Sequence, residues 1–175
     1  MDENKYVRLQ GTGYYSLDGN NKDRILVLGI GNYLMGDEGV GVHIVHQMAD
    51  MERPAYVDVL DGGTGGFFLM NVFDDYGTVI FIDATMDGKP AGTIKVLKPK
   101  FASDFPNALS VHDVGLKDMI EALFILGKTP ELHLITISVE GIQPMTTDMT
   151  PKVEACIPGA IKAILELAKS IHDPV

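Results

Sequence analysis

The sequence predicts an α/β fold: a three-layer sandwich whose mostly parallel sheet of about five strands has one antiparallel edge strand and helices on both faces. Short runs of branched apolar residues are typical of parallel strands that are buried on both sides. Between them lie segments in which apolar residues recur every three or four positions, the spacing of an amphipathic helix. The strand runs end in glycines and carboxylates, which indicates polar loops at one edge of the sheet.

The apolar runs and periodic segments predict the order of the elements along the chain. Strands are predicted at 25–30, 56–60, 78–83, 93–97 and 132–137. Helices are predicted at about 39–51, 67–72, 114–126 and 150–170. The run 78–83 is almost unbroken in apolar character, so it is predicted to be a central strand. The short turn before 93–97 predicts that this strand runs antiparallel.

Capping residues support the predicted helix boundaries. Thr150 followed by Pro151 is a typical N-cap and first-turn pair for the last helix. Asp113 is a candidate N-cap for the helix before it. The segment 98–111 has no apolar period and is long for a compact domain, which indicates a functional loop.

Length and composition limit the kinds of protein that this chain can be. With 175 residues and 46% hydrophobic content, one domain over 23–175 is predicted, preceded by a flexible polar extension over 1–22. A net charge of −10 argues against nucleic acid as a partner. Cys156 is the only cysteine, which excludes an internal disulfide and is typical of the cytoplasm. No apolar run approaches the roughly 20 residues of a membrane span, and a cytoplasmic monomer is expected.

The glycine-rich loop after the first strand does not match the two common phosphate-binding motifs. A dinucleotide-binding turn needs a third glycine where this chain has Leu34. A P-loop needs a Lys–Ser or Lys–Thr pair after its last glycine, but Gly41 is followed by Val42 and His43. The paired carboxylates of the loop instead suit a metal ion or acid–base chemistry.

Four side chains are predicted to meet at the carboxyl edge of the sheet. Glu38 follows the first strand, and Asp61 and Asp83 end the next two. His112 lies just before a helix, and the 98–111 loop can bring it to the same edge. Carboxylate oxygens with an imidazole nitrogen suit nickel or zinc. Glu140, which follows the last strand, is a further candidate for lining this crevice.

Other histidines are assigned structural positions. His43 and His46 lie on one face of the first helix, but no fuller metal-ligand pattern accompanies them. An exposed or half-buried helix face is therefore predicted for both. His133 lies near the start of a strand, away from the carboxyl edge, and is predicted to be a core or edge residue.

Four motifs in order resemble the hydrogenase maturation protease family. They are Gly29-x-Gly31-Asn32-x-Leu34-x-Gly36-Asp37-Glu38-Gly39-x-Gly41, Leu60-Asp61-Gly62-Gly63-Thr64, Asp83-Ala84 and His112-x-x-Gly115-Leu116. The resemblance covers roughly residues 24 to 170. It implies a metal-dependent endopeptidase that removes the C-terminal extension of a nickel-iron hydrogenase large-subunit precursor once nickel has been inserted.

The resemblance also implies roles for particular residues. Glu38, Asp83 and His112 correspond to the metal ligands, with nickel supplied by the precursor and zinc as a possible substitute. A metal-polarised water or a carboxylate such as Asp61 would start hydrolysis, and the sequence leaves both open. The loop Asp61, Gly62, Gly63 and Thr64, together with 98–111, is expected to hold the substrate tail as an added strand. The alternative is a non-catalytic module of the same fold that binds a metalloprotein or a metal.

Overall fold

The predicted architecture is confirmed. The computed structural model describes residues 6–8, 14–16, 21–64, 69–99, 114–127 and 130–174. Its strands are β1 (Tyr6–Arg8), β2 (Tyr14–Ser16), β3 (Asn21–Ile30), β4 (Val57–Gly63), β5 (Tyr76–Thr85), β6 (Ile94–Leu97) and β7 (Glu131–Ser138). Its helices are α1 (Val40–Ala49), α2 (Met70–Asp75), α3 (Val114–Leu126) and α4 (Pro151–His172). No helix within these ranges has the length and apolar character needed to cross a bilayer.

The described strands form one sheet in the order β1-β2-β4-β3-β5-β7-β6. The four central strands, β4, β3, β5 and β7, are parallel to one another. β6 is the predicted antiparallel edge strand, and it pairs with β7 rather than with β5, which precedes it in the chain. The direction in which strands are added to the sheet reverses at β3, since β4 lies on one side of β3 and β5 on the other. The gap between the ends of β3 and β5 is therefore a topological switch point. Ligands of open α/β sheets bind at such a switch point.

The N-terminal segment contributes two strands that the sequence pattern did not predict. The segment 1–22 was expected to be a flexible extension, but β1 and β2 pair as an antiparallel hairpin. β2 also pairs antiparallel with β4 through Tyr14 and Val59. β3 begins at Asn21, four residues before the apolar run, because Asn21 pairs with Tyr76 of β5 across an irregularity in the register.

Helices cover the two faces of the sheet and form two separate cores. One core joins α1 and α4 to the face that carries Val27, Ile80 and Ile135. The other joins α2 and α3 to the opposite face, which carries Phe81 and Leu134. The strict alternation of side chains along each strand assigns neighbouring residues to opposite cores. The central strands are therefore apolar on both faces, as their sequences predicted.

Two glycines allow helix α1 to lie directly on the strand backbone. A Cβ atom on Gly29 would collide with the carbonyl oxygen of Gly41. A Cβ atom on Gly41 would collide with the carbonyl oxygens of Ile30 and Ile82. The first turn of α1 therefore touches the ends of both β3 and β5, and the loop before it lies over the carboxyl edge of the sheet.

We predict that Gly41→Ala lowers the free energy of unfolding by about 3 kcal/mol, because the added methyl group would push α1 away from two strands. Urea unfolding followed by circular dichroism measures the change. Gly141→Ala is the control, since a Cβ atom there meets nothing within 4 Å, and it should change stability by less than about 0.5 kcal/mol. Equal effects of the two substitutions would contradict the packing argument.

Candidate active site at the carboxyl edge of the sheet

The loop between β3 and α1 buries two adjacent carboxylates. Asp37 and Glu38 lie in a single turn of 3-10 helix, Gly36–Gly39, and each is 1% exposed. Burial of a charged group is costly unless hydrogen bonds or opposite charges compensate for it. The two side chains meet this cost in different surroundings, so they have different roles.

Asp37 holds the loop to the start of helix α4. Its Oδ1 accepts a hydrogen bond from the backbone N–H of Thr150 at 2.7 Å, and its Oδ2 accepts one from Thr150 Oγ1 at 2.9 Å. Gln143 completes the contact, since its Oε1 accepts from the backbone N–H of Asp37 at 2.8 Å. Thr150 is the N-cap of α4, so a carboxylate from 113 positions away satisfies this helix terminus.

Glu38 lies at the carboxyl end of β5. It lines a cavity of about 10 Å³ together with Ala84, Thr85, Met86, Val139 and Ile142. That volume is close to the space that one water molecule needs. Glu38 therefore borders a small enclosed space at the switch point, beside the strand that ends after Asp83.

Asp83 has the least exposed side chain among the predicted catalytic residues that the structure describes. It is 0% exposed, and its Oδ1 accepts a hydrogen bond from the backbone N–H of Ala84 at 2.7 Å. Alternation along β5 places it on the same face as Val79 and Phe81, which belong to the α2 and α3 core. A carboxylate buried at the end of a central strand is a feature of a functional site rather than of a core.

Asp61 lies on the other face of the sheet. It follows Val57 and Val59 of the α1 and α4 core, and its Oδ2 lies 2.8 Å from Nε2 of His46 on α1. Asp61 pairs in register with Gly29, and Gly29 also pairs with Ile82. One strand therefore separates Asp61 from β5, a backbone distance of about 10 Å. The structure thus groups Asp61 with α1 and not with Asp83.

The Asp61 carboxylate organises the glycine loop that follows it. Its Oδ1 accepts a hydrogen bond from the backbone N–H of Gly63 at 2.8 Å. The carbonyl oxygen of Gly63 accepts one from the backbone N–H of Gly31 at 2.7 Å. Gly62 is buried against Ile30, and Thr64 is exposed. The loop is therefore tied to the motif after β3 on one side and to His46 on the other.

The sequence pattern did not predict that His46 and Asp61 are partners. Both histidines of α1 are half-buried, as expected, but they form a cluster with Tyr33. The Tyr33 ring stacks on His43 with centroids 4.5 Å apart and is tilted against His46 at 5.3 Å. Burial lowers the pKa of His43, and the adjacent His46 lowers it further. The contact joins a helix to a strand end, and sequence spacing alone contains no signal for it.

His112 lies outside the described residues, as does the loop 98–111 apart from its first two positions. Within the described ranges, no group of three His, Cys, Asp or Glu side chains is placed to hold a metal ion. Helix α3 begins at Val114, two positions after His112 in the sequence. Ile120 and Leu123 of this helix pack in the core that includes Phe81, on the Asp83 side of the sheet.

The remaining candidates have structural positions. His133 is buried, and burial lowers its pKa despite a 3.0 Å contact with Glu131. Burial likewise raises the pKa of the Cys156 thiol on α4, which keeps the thiol protonated and poorly nucleophilic. Glu140 is exposed and pairs with Lys152 at 3.1 Å. It lies beside the crevice but not in the small cavity that Glu38 lines.

The fold and the site together define a class of protein. The chain is a doubly wound α/β protein with buried carboxylates at the carboxyl edge of its central strands, where such sheets bind ligands. A family model described as hydrogenase maturation protease matches residues 42–167. The chain therefore belongs to the hydrogenase maturation protease family, whose curated relatives and solved structures include endopeptidases.

Individual relatives match over most of their length. The hydrogenase 2 maturation protease of Escherichia coli K12 is 38% identical over 146 residues, which cover 81% of this chain and 88% of the relative. The hydrogenase expression/formation protein HupD of Rhizobium leguminosarum is 34% identical over 155 residues, 84% and 75% of the two chains. The solved structure of the hydrogenase maturating endopeptidase HybD from E. coli superposes with a TM-score of 0.76 at 36% identity, covering 85% of this chain and 93% of that one. HybD from Thermococcus kodakarensis, a [NiFe] hydrogenase maturation protease, gives a TM-score of 0.70 at 27% identity over 83% and 99%.

We predict that Asp37→Ala lowers the free energy of unfolding by about 3 kcal/mol. It removes a helix cap and leaves two half-buried donors of Thr150 without their acceptor. Chemical denaturation monitored by circular dichroism gives the value. Asp148→Ala is the matched control, because this exposed aspartate lies two residues before Thr150 in the same loop. A destabilisation by Asp37→Ala no larger than that of the control would refute the capping role.

Proposed function

We propose that this protein is an endopeptidase that removes the C-terminal extension of a nickel-iron hydrogenase large-subunit precursor after nickel has been inserted. The observation that carries the proposal is the burial of Glu38 and Asp83 at the carboxyl ends of neighbouring strands, where a ligand of this fold binds. Membership of the hydrogenase maturation protease family supports proteolysis as the reaction. The nickel carried by the precursor is part of the substrate in this proposal.

The donor chemistry of the site fits a divalent transition metal. Glu38 and Asp83 supply carboxylate oxygens, and His112 would add an imidazole nitrogen, a set that suits nickel or zinc. His112 lies just before α3, the helix that packs on the Asp83 face of the sheet. A metal ion bound at such a site polarises a carbonyl group and lowers the pKa of a water molecule. The single cysteine lies on α4, so thiolates do not compete with the cysteine ligands of nickel in the precursor.

Asp61 is proposed to position the substrate rather than to abstract a proton. Both of its oxygens already have partners, His46 and the backbone of Gly63. It also lies on the opposite face of the sheet from Asp83. The loop that it holds, Gly62 to Thr64, would present backbone groups to an extended peptide.

We expect the purified protein to shorten a nickel-loaded precursor and to leave the nickel-free precursor intact. Mass spectrometry of the products after incubation measures both the cleavage and its position. Cleavage of both forms would show that nickel is not the recognition element. Binding without any cleavage of the loaded form would instead support the non-catalytic alternative.

We predict that Glu38→Gln and Asp83→Asn each reduce the cleavage rate at least about a hundredfold, because both remove a charge at the reacting centre. Gel-shift assays of precursor processing give the rates, and unchanged circular dichroism spectra establish that the variants fold. Glu166→Gln is the matched control, since Glu166 is exposed on α4. Processing by both site variants at the control rate would remove these carboxylates from the mechanism.

The role of Asp61 can be separated from general-base catalysis. Asp61→Asn keeps an acceptor for Gly63 N–H but cannot take up a proton at neutral pH. We expect KM for the precursor to rise by about tenfold while kcat falls by less than tenfold. Loss of a general base would lower kcat by about 10²- to 10⁴-fold instead. Steady-state kinetics distinguish the two, and His46→Gln should reproduce the rise in KM if His46 positions Asp61.

A further inference from the structure

An open groove lies beside the cavity that Glu38 lines. Its volume is about 670 Å³, within the range of about 300–1,000 Å³ that is common for ligand sites. Two of its lining residues, Met86 and Val139, also line the Glu38 cavity. The groove therefore adjoins the candidate active site.

Hydrogen bonds hold the wall of this groove in place. The turn after β5 carries Asp87, whose Oδ1 accepts a hydrogen bond from Ser138 Oγ on β7 at 2.8 Å. Further along the turn, Gly92 N–H donates to the carbonyl oxygen of Ser138 at 2.8 Å. On the floor, Val139 N–H donates to the carbonyl oxygen of Thr85 at 2.9 Å. These bonds connect the turn to the sheet, so its side chains have defined positions over the groove.

Lysines give the groove a positive charge in an otherwise acidic protein. Lys152 lines one side and pairs with Glu140 at 3.1 Å. Lys89 lines the groove near the ion pair of Lys95 with Asp87, which is not part of the lining.

The pKa values of Asp87 and Lys89 are shifted by the neighbouring side chains. Hydrogen bonds from Lys95 and Ser138 hold the pKa of Asp87 at about 2. The adjacent Lys95 lowers the pKa of Lys89. The groove lining itself contains two lysines and one glutamate, an excess of one positive charge, whereas the whole chain carries −10.

We propose that this groove binds the extension on the far side of the scissile bond and that Lys89 and Lys152 recognise a carboxylate on it. The proposal rests on the proposed function. The mature part of the precursor holds the nickel at the Glu38 end, so the extension is the part of the substrate that continues past the cavity. An extension that ends the chain carries an α-carboxylate and can also carry Asp or Glu side chains. Either source supplies the anion that the two lysines require.

The test uses a variant with both lysines neutralised, Lys89→Gln with Lys152→Gln. Lys162→Gln is the matched control, because Lys162 is also an exposed lysine on α4 that pairs with a glutamate. Fluorescein-labelled synthetic peptides of the extension, as free acid and as C-terminal amide, are titrated with each protein, and anisotropy gives Kd. Cleavage of the nickel-loaded precursor is measured separately.

We expect the double variant to bind the free-acid peptide about five- to tenfold more weakly than wild type, the effect of two exposed ion pairs. The difference should shrink as salt concentration rises. If the amide binds wild type as weakly as the free acid binds the double variant, the α-carboxylate is the group recognised. If acid and amide bind alike and both lose affinity in the double variant, an acidic side chain is recognised.

Two results would overturn the proposal: binding by the double variant at wild-type strength, or an equal loss in Lys162→Gln. Failure of the proposed function looks different. In that case the wild-type protein leaves the precursor uncleaved, while the peptide titrations still report on the groove. The two hypotheses are therefore tested by separate measurements.

Discussion

The close contact between helix α1 and the ends of two strands is the constraint on which the site depends. Because Gly29 and Gly41 lack side chains, the backbone of α1 touches the backbone of β3 and β5 directly. The loop before α1 then lies over the carboxyl edge of the sheet, and Glu38 borders the end of β5. A helix at the usual distance, separated by side chains, would leave Glu38 several ångströms from that edge.

The two adjacent carboxylates of this loop have different surroundings. Asp37 caps α4 and so joins the first and last helices of the core that they share. Its neighbour Glu38 lines the small cavity at the end of β5. The stability of the fold and the position of the site are therefore connected, because the turn that Asp37 anchors is the one that carries Glu38.

Two of the candidate site residues, Asp83 and Asp61, lie on opposite faces of the sheet. Asp83 belongs to the face covered by α2 and α3, whereas Asp61 contacts α1 through His46. The loop Gly62 to Thr64 borders one side of the switch point. The groove lined by Lys89 and Lys152 borders the other side, beyond Met86. In the proposed function, a substrate tail at Glu38 would meet backbone groups on one side and positive charge on the other. This arrangement supports recognition of an extended, carboxylate-bearing peptide.

Local sequence determined the class of the fold and the edge of the sheet at which the described candidate residues lie. Apolar runs predicted five strands, β3 to β7, and periodic segments predicted the helices. The positions of the carboxylates after the strand runs predicted that these side chains lie at the carboxyl edge of the sheet. These features depend on the chemistry of near neighbours in the chain, which is visible in a sequence. Three motifs in the described ranges were sufficient to place Glu38, Asp61 and Asp83 on adjacent elements.

Only the tertiary structure decided which side chains become partners. The pairing of Asp37 with Thr150, of His46 with Asp61, and of β6 with β7 joins positions whose separation in sequence has no periodic signature. The N-terminal hairpin is a similar case, since its strands are only three residues long and β2 pairs with the edge of β4. Contacts of this kind follow from how packed layers bring distant segments together, so sequence patterns determine the elements and packing determines the site.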